Sequence, residues 1–272
     1  MTPAHPFHWD VNPILVQIGP LTVRWYGVFF AAAFLVGYWI MQGIYRREGT
    51  DPASLDRLLL YMLLGAVLGA RVGHVLFYDP HYYVTHPLEI IKIWEGGLAS
   101  HGGAVGILVA LYLFSRWAGG PPYLWLLDRV AIPTALGGAF IRLGNLFNSE
   151  IVGTPTSGWW GLVFDRVDPL PRHPVQLYEA MAYGLIFLLL LSVYRRRGPT
   201  LGDGGLLGLF LLFVFSARFL LEFVKTPQAE YEAGLVLTVG QLLSIPFIVA
   251  GFGLIVRARK KRNQPHLPAR AP

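Results

Sequence analysis

The sequence contains no cysteine and few charged residues. Without cysteine the chain can form no disulfide framework, no thiolate metal site and no covalent intermediate on an enzyme thiol. Asp, Glu, Lys and Arg together make up 14% of its 272 residues, whereas an ordinary soluble domain carries about 25%. Hydrophobic residues make up 54%. This composition excludes an ordinary water-soluble domain, and it also excludes a disordered chain.

Long apolar runs dominate the sequence instead. A bilayer core about 30 Å thick needs a helix of about 20 apolar residues. The segments between such runs are too short for an independent domain, so we predict an all-α integral membrane protein with a single polytopic domain over 1–272. We also predict an outer loop or small head element at about 143–174 and a basic tail at 257–272. The seven predicted transmembrane helices are 26–44, 57–78, 97–115, 123–141, 176–194, 202–223 and 237–256.

The distribution of Lys and Arg predicts the orientation in the membrane. The net charge is +6, and most of the 22 basic residues follow the first, third, fifth and seventh runs. Because short cytoplasmic loops carry the excess of Lys and Arg, these ends are expected to be cytoplasmic. The N-terminus is then outside and the C-terminus inside. We interpret the basic tail as a topology determinant near anionic headgroups, not as a nucleic-acid site.

A smaller set of basic residues has no explanation in topology. Charges at membrane depth are costly and usually face a cavity, a partner or a substrate. Arg71, Arg142 and Arg218 are therefore candidate functional residues. Glu222 follows Arg218 at i+4, so the two side chains could simply pair, and this alternative stays open beside substrate contact. The full set is Arg24, Arg71, Lys92, Arg142, Arg166, Arg172, Arg218 and Lys225.

A glycine-rich string, Gly96-Gly97-Leu98-Ala99-Ser100-His101-Gly102-Gly103, lies at the predicted outer end of the third helix. Glycines on both sides of a histidine permit close approach and leave the imidazole accessible. An imidazole with an ordinary pKa near 6.5 can accept a proton at neutral pH, so His101 is a candidate general base. The alternative is a packed histidine bonded to a backbone carbonyl. The sequence leaves both interpretations open.

A second polar string, Arg142-Leu143-Gly144-Asn145-Leu146-Phe147-Asn148-Ser149-Glu150, lies where the fourth predicted helix leaves the membrane. A guanidinium and two amides supply several hydrogen-bond donors at headgroup depth, and phosphate is the natural acceptor there. The alternative interpretation is a helix capped by asparagine together with an arginine that extends to the interface.

Two further strings carry polar side chains on the same predicted side. One opens the fifth helix, where a structural polar network is as good an interpretation as a substrate site. The other opens the first helix and also fits an interfacial aromatic belt. The strings are Arg172-His173-Pro174-Val175-Gln176-Leu177-Tyr178-Glu179 and Arg24-Trp25-Tyr26-Gly27.

Together these strings resemble those of the prolipoprotein diacylglyceryl transferase family. The Arg-Leu-Gly-Asn-x-x-Asn-x-Glu pattern is specific to that family, and the His-Gly-Gly and His-Pro-x-Gln-x-Tyr-Glu patterns add to it. The resemblance covers most of the chain in order. It runs through 24–27, 69–71, 96–103, 142–150, 173–179 and 218–222.

The resemblance implies a bacterial inner-membrane enzyme with its active site toward the extracytoplasmic side. Its activity would be transfer of the diacylglyceryl group of phosphatidylglycerol to the lipobox cysteine thiol in the signal peptide of a preprolipoprotein. A thioether forms and glycerol 1-phosphate leaves, as the first step of lipoprotein maturation. The implied partners are phosphatidylglycerol, the preprolipoprotein and membrane lipid. A monomer is expected, with no cofactor, no metal and no nucleic acid.

The resemblance also implies roles for individual residues. His101, Arg142 and Arg218 are the expected catalytic residues, with His101 as base and the arginines stabilising the leaving phosphate. The expected substrate-binding residues are Tyr26, Arg71, Asn145, Asn148, Glu150, His173, Gln176, Tyr178, Glu179 and Glu222.

Two departures from the family pattern are present, and a different class of protein competes with the enzyme. The family usually has Arg-x-Pro-Asp where this chain has 225–228, and often has Tyr where this chain has Val214. Lys225 keeps the charge but loses the forked guanidinium geometry. The competing hypothesis is a polytopic transporter for an anionic solute, with Arg142 and Arg218 lining a midplane site.

Overall fold

The computed structural model describes residues 7–19, 21–198, 203–226 and 236–263. The far end of the basic tail and the Pro227-Gln228 part of the departure from the family pattern lie outside these residues.

Eight α-helices and five short strands make up the described chain. The helices are α1 (Trp25–Glu48), α2 (Pro52–Phe77), α3 (Pro80–Thr85), α4 (Ser100–Trp117), α5 (Tyr123–Asn148), α6 (Val175–Arg197), α7 (Gly205–Leu221) and α8 (Val239–Asn263). The strands are β1 (Phe7–Trp9), β2 (Ile14–Ile18), β3 (Leu21–Arg24), β4 (Leu162–Phe164) and β5 (Pro171–Arg172), and 3-10 turns cover Pro87–Ile91, Ile93–Glu95 and Glu222–Val224.

Six of these helices are long and apolar enough to cross a membrane within the described residues: α1, α2, α5, α6, α7 with the turn that follows it, and α8. The prediction of an integral membrane protein is therefore confirmed at this level. The predicted span 97–115 corresponds to α4, which opens with polar Ser100 and His101 and has 18 residues. The seventh crossing stays a prediction.

Helix α5 is longer than its apolar run. The prediction ended this helix at 141, but it continues to Asn148. The apolar run ends at Arg142, where the hydropathy falls. A helix can continue past that point as long as its backbone hydrogen bonds are made and its polar side chains have partners. Arg142 and Asn145 bond each other one turn apart, at 3.1 Å from Nη1 to Oδ1. The start of the predicted outer segment is thus helical.

Short strands lie at the N-terminus and in the segment after α5, and the sequence did not predict them. Strand β1 pairs in parallel with β4, and β4 pairs antiparallel with β5. Strands β2 and β3 form a separate antiparallel hairpin that leads directly into α1. Trp9 ties the first strand to the end of α5, because its indole N–H donates to the Leu146 carbonyl at 3.0 Å.

The chain forms two compact units. The first comprises residues up to 39 and from 128 onward, and the second comprises 40–127. In the first unit, α7 packs on both α6 and α8. Asp128 on α5 accepts the Gly204 and Leu207 N–H groups at 2.7 and 2.8 Å. Because the first N–H groups of a helix lack partners within it, this buried carboxylate caps the start of α7.

The second unit is built around a close contact between α2 and α4. A Cβ atom on Gly106 would lie 2.0 Å from the Gly65 carbonyl oxygen, and one on Gly69 would lie 2.4 Å from that of Gly102. The two backbones therefore touch directly, as small residues allow between helices in lipid. This contact fixes the N-terminal turn of α4, which carries His101.

Candidate functional site

A buried carboxylate, Glu179, holds two cations in the first unit. It lies in the second turn of α6 with 1% of its side chain exposed. Arg142 Nε on α5 is 2.9 Å from one carboxylate oxygen, and Lys225 Nζ is 3.3 Å from the other. A buried charge needs opposite charge and hydrogen bonds to offset its lost hydration. Glu179 thereby joins α5, α6 and the segment after α7.

Glu222 completes the charge balance around Lys225. Its carboxylate lies 3.4 Å from Lys225 Nζ, and both side chains are buried. The backbone at Gly240, the second residue of α8, approaches this carboxylate so closely that a Cβ there would lie 2.6 Å from an oxygen. The pairing of Arg218 with Glu222, left open by the sequence, is not found among the described side chains.

A chain of hydrogen bonds extends from Arg142 to the end of α5. Asn145 accepts from Arg142 and donates to a Glu150 carboxylate oxygen at 3.2 Å. Asn148 donates to the other oxygen of Glu150 at 3.1 Å. The two asparagines therefore orient a carboxylate and a guanidinium, and they do not cap the helix. Arg142 is paired, with 14% of its side chain exposed, which replaces the interpretation of an arginine extending to the interface.

The turn that carries Glu150 has a strained backbone. Ser149 and Ile151 on either side have φ angles of 55° and 56°. A residue other than glycine in this left-handed region costs about 1–3 kcal/mol and persists only where its surroundings impose it. Gln176, fully buried on α6, donates to the Glu150 carbonyl at 2.6 Å and supplies part of that constraint.

Tyr26 lies at the junction of β3 and α1, directly against α5. Its ring fills the space over Gly144, where a Cβ would lie 2.8 Å from the Tyr26 ring. The side chain is within electrostatic range of both Glu150 and Arg142. The aromatic residue beside it, Trp25, contacts the Phe147 ring at a centroid distance of 4.9 Å. Two residues of the string at the start of α1 therefore pack against the end of α5.

Arg218 differs from Arg142 in having no ionic partner among the described residues. It lies in the last turn of α7 and is partly exposed. Its guanidinium makes no hydrogen bond or ion pair with any side chain that the structure describes. Both Arg142 and Arg218 interact electrostatically with the Tyr183 side chain, so both guanidinium groups lie in the neighbourhood of this tyrosine.

The segment between α5 and α6 holds Lys225 in place. Thr154 N–H donates to the Val224 carbonyl at 2.9 Å, and Thr226 N–H donates to the Val152 carbonyl at 3.2 Å. These backbone bonds form a short antiparallel bridge beside Lys225.

Arg172 fastens the same segment from its other end. It donates to the Gly153 carbonyl at 3.0 Å and pairs with Asp168, and its guanidinium lowers the pKa of that carboxyl through hydrogen bonds. His173 Nδ1 lies 3.3 Å from the Tyr178 hydroxyl, so these two predicted residues contact each other.

The two remaining predicted residues, Arg71 and His101, belong to the second unit. His101 is exposed in the first turn of α4, and its ring makes no hydrogen bond within the described ranges. The accessible histidine is therefore the interpretation that the structure favours over the packed one. Arg71 is buried and bonded to backbone carbonyls. Its role in substrate binding stays a prediction.

Sequence reasoning missed Lys225 as a member of the site. The residue was noted only as unexplained by topology and as a departure from the family pattern. Its burial between Glu179 and Glu222 depends on the pairing of 152–154 with 224–226. No local sequence pattern predicts this pairing. The feature of the sequence that could have indicated a role for Lys225 is its positive charge in a predicted outer segment.

The site is built from guanidinium, ammonium, amide and carboxylate groups. Among the described residues it offers a partly exposed arginine without an ionic partner, Arg218, together with an arginine held by a carboxylate, Arg142. Such groups suit a phosphate and the charge that develops on it when a bond to it breaks. Within the described residues, no group of three His, Asp or Glu side chains could hold a metal ion.

The six long apolar helices define a polytopic membrane protein, with a network of ion pairs at the ends of α5 and α6 and after α7. A family model for prolipoprotein diacylglyceryl transferase matches residues 13–257. The chain belongs to this family.

Relatives match over nearly the whole chain. Phosphatidylglycerol–prolipoprotein diacylglyceryl transferase of Tolumonas auensis is 56% identical over 254 residues, which cover 93% of this chain and 98% of that protein. The protein of the same name from Chloroherpeton thalassium is 52% identical over 93% of this chain and 94% of its own length. That from Porphyromonas gingivalis is 43% identical over the same shares.

The exchange Lys225→Met tests whether the buried ion pairs stabilise the fold. We expect the free energy of unfolding to fall by about 3–5 kcal/mol, because Glu222 and part of Glu179 lose their counter-charge in a buried setting. An SDS titration in mixed micelles measures this loss.

Lys92→Met is the matched control, since Lys92 and Glu89 form a Lys–Glu pair of the same i,i+3 spacing that is more exposed. We expect that control to lose less than about 1 kcal/mol. Equal losses in the two variants would contradict a stabilising role for the buried pair.

Proposed function

We propose that the chain transfers the diacylglyceryl group of phosphatidylglycerol to the lipobox cysteine of a preprolipoprotein. Family membership and the names of its relatives support this reaction. The structural observation that carries it is Arg218, partly exposed and unpaired among the described side chains, beside Arg142, which is held by Glu179. The competing transporter hypothesis gains no support from the family.

In this proposal the two arginines bind the phosphodiester of the lipid. The substrate thiolate attacks the carbon of the diacylglyceryl group that is bonded to a phosphate oxygen. A carbon–sulfur bond forms as this carbon–oxygen bond breaks. The electron pair of the broken bond passes to the oxygen of glycerol 1-phosphate. A guanidinium held in place before the reaction, as Arg142 is by Glu179, stabilises that charge with little reorganisation, and such stabilisation is usually the largest contribution to rate in such sites.

His101 accepts the thiol proton. A free thiol has a pKa of about 8.5, so only a small fraction is thiolate at neutral pH and a base accelerates the reaction. The exposure of the imidazole in the first turn of α4 supports this role.

We propose two kinds of role for the other predicted residues. Glu179 and Gln176 are too buried to touch a lipid, and we propose that they position Arg142 and the Glu150 turn. Tyr26 is half-buried and Glu150 is exposed, and we propose that they orient the substrate together with the buried Asn145 that joins Arg142 to Glu150. Asn148, His173, Tyr178 and Glu222 complete the proposed binding set.

We further propose seven membrane crossings, counting α4, with the N-terminus outside and the C-terminus in the cytoplasm. Basic residues at the C-terminal ends of α1, α4, α6 and α8 support this orientation. The site at the ends of α5 and α7 then faces the extracytoplasmic side of the bacterial inner membrane. We expect one polytopic domain acting as a monomer, without a cofactor and without nucleic acid.

A reconstituted assay with phosphatidylglycerol and a lipobox peptide tests the reaction. We expect Arg142→Ala and Arg218→Ala each to lower turnover by about 10²–10³-fold, because each removes a guanidinium donor to the leaving phosphate. His101→Ala should lose less, and its loss should shrink as the pH rises toward 8.5 because the thiol then ionises unaided.

Arg166→Ala is the control, since Arg166 is exposed in the same outer segment and should retain activity. Replacing the peptide's cysteine with serine should abolish product. Full turnover by Arg218→Ala would contradict the phosphate-binding role, and a labelled serine product would indicate different chemistry.

Introduced cysteines test the orientation, since the native chain has none. Ser157→Cys and Ala53→Cys place a small exposed thiol in the segment after α5 and in the first turn of α2. An impermeant maleimide added to intact spheroplasts should label the first variant. The second should react only after the membrane is permeabilised. The reverse pattern would overturn the proposed orientation.

A further inference from the structure

The Arg71 guanidinium is occupied by the backbone of one segment. Arg71 lies near the end of α2 and is 5% exposed. Its Nε donates to the Ile90 carbonyl at 2.8 Å, and Nη1 donates to the carbonyls of Gly96 and Gly97 at 2.8 and 3.0 Å. Its Nη2 donates to the Glu89 carbonyl. All four acceptors lie in the segment that connects α3 to α4.

These bonds leave Arg71 little capacity for a substrate. A guanidinium has five N–H donors, and four of those of Arg71 are used on the backbone. Its guanidinium carbon also lies 5.0 Å from the centre of the Tyr83 ring. Arginine usually grips phosphate with two parallel N–H groups. A single remaining N–H cannot make that fork.

Three large apolar side chains of the segment add little packing. Its large apolar side chains point outward, with Leu88 75%, Ile91 67% and Trp94 73% exposed. These three side chains therefore contribute little packing within the unit, whereas four hydrogen bonds from Arg71 attach the segment to α2.

The same segment leads directly into the turn before His101. Gly96 and Gly97 have φ angles of 96° and 68°, a left-handed conformation that glycine adopts without strain. Two residues later, the Ala99 N–H donates to the Ala70 carbonyl at 2.9 Å and fixes the start of α4. His101 is the second residue of that helix.

We infer that Arg71 is a positioning residue, which holds the 89–97 segment against α2 and so places His101 for proton transfer, and that it does not bind the lipid phosphate. The inference rests on the proposed function only for the role of His101. The attachment of the segment stands on the hydrogen bonds alone.

Arg71→Lys tests this, because lysine keeps the charge but cannot reach four carbonyls from one nitrogen. We expect kcat to fall by about 10- to 100-fold, as small misplacements of a catalytic group do, while KM for phosphatidylglycerol stays within about twofold. Hydrogen exchange in the full-length chain should speed up at the Glu89, Lys92 and Ala99 amides. The matched control, Arg116→Lys in the last turn of α4, should change none of these.

Gly97→Ala provides a second variant that leaves every cation in place. Its Cβ would lie 2.6 Å from Arg71 Nη1 and 2.8 Å from the His74 ring, so it disturbs the attachment from the other side. We expect the same split, a lower kcat with an unchanged KM, and the same faster exchange.

Two results would overturn the inference. One is a rise in KM of tenfold or more for Arg71→Lys with unchanged kcat, which would indicate substrate contact. The other is unchanged exchange of the 89–99 amides in both variants, which would show that Arg71 does not hold the segment. If the wild-type chain transfers no lipid, the proposed function fails, and the exchange result still decides whether Arg71 holds this segment.

Discussion

The structure of the site depends on one buried carboxylate shared by two cations. The nearly dry setting of Glu179 requires surrounding positive charge, and Arg142 and Lys225 supply that charge from two different parts of the chain. The requirement is mutual, since neither cation could be buried at the end of an apolar bundle without the carboxylate. The ends of α5 and α6 and the segment after α7 are therefore fixed relative to each other by charge balance.

This balance determines what is left for a ligand. Lys225 is neutralised by Glu179 and Glu222, and Arg142 is held along its Nε edge. Arg218 has no such partner among the described side chains. It lies in the neighbourhood of Tyr183, as Arg142 does. In our proposal this leaves one fixed and one unpaired guanidinium to meet a lipid phosphate. The strained backbone of the Ser149–Ile151 turn is consistent with this proposal, because backbone strain is often retained at functional sites, and this turn orients Glu150.

Most of the apolar helices could be predicted from the sequence, because a bilayer requires a minimum length of apolar helix and runs of that length are visible in the sequence. It also predicted that Arg142, Asn145 and Glu150 belong together, since they share one string. It ended α5 too early, because hydropathy stops at Arg142 while the helix does not. The three-residue strands and the burial of Lys225 arise from contacts between segments far apart in the chain. The partners of Arg71 are backbone carbonyls, which leave no trace in residue type.

In our proposal Arg218, which has no ionic partner among the described side chains, receives the lipid phosphate together with Arg142. An experimental structure of the wild-type chain in a nanodisc of phosphatidylglycerol tests this claim most directly, through the distances from the lipid phosphate to the two guanidinium groups. We expect phosphate oxygens at hydrogen-bond distance from Arg218, with Arg142 still paired to Glu179. A lipid phosphate bound elsewhere, with Arg218 paired to a carboxylate of the protein, would contradict the account.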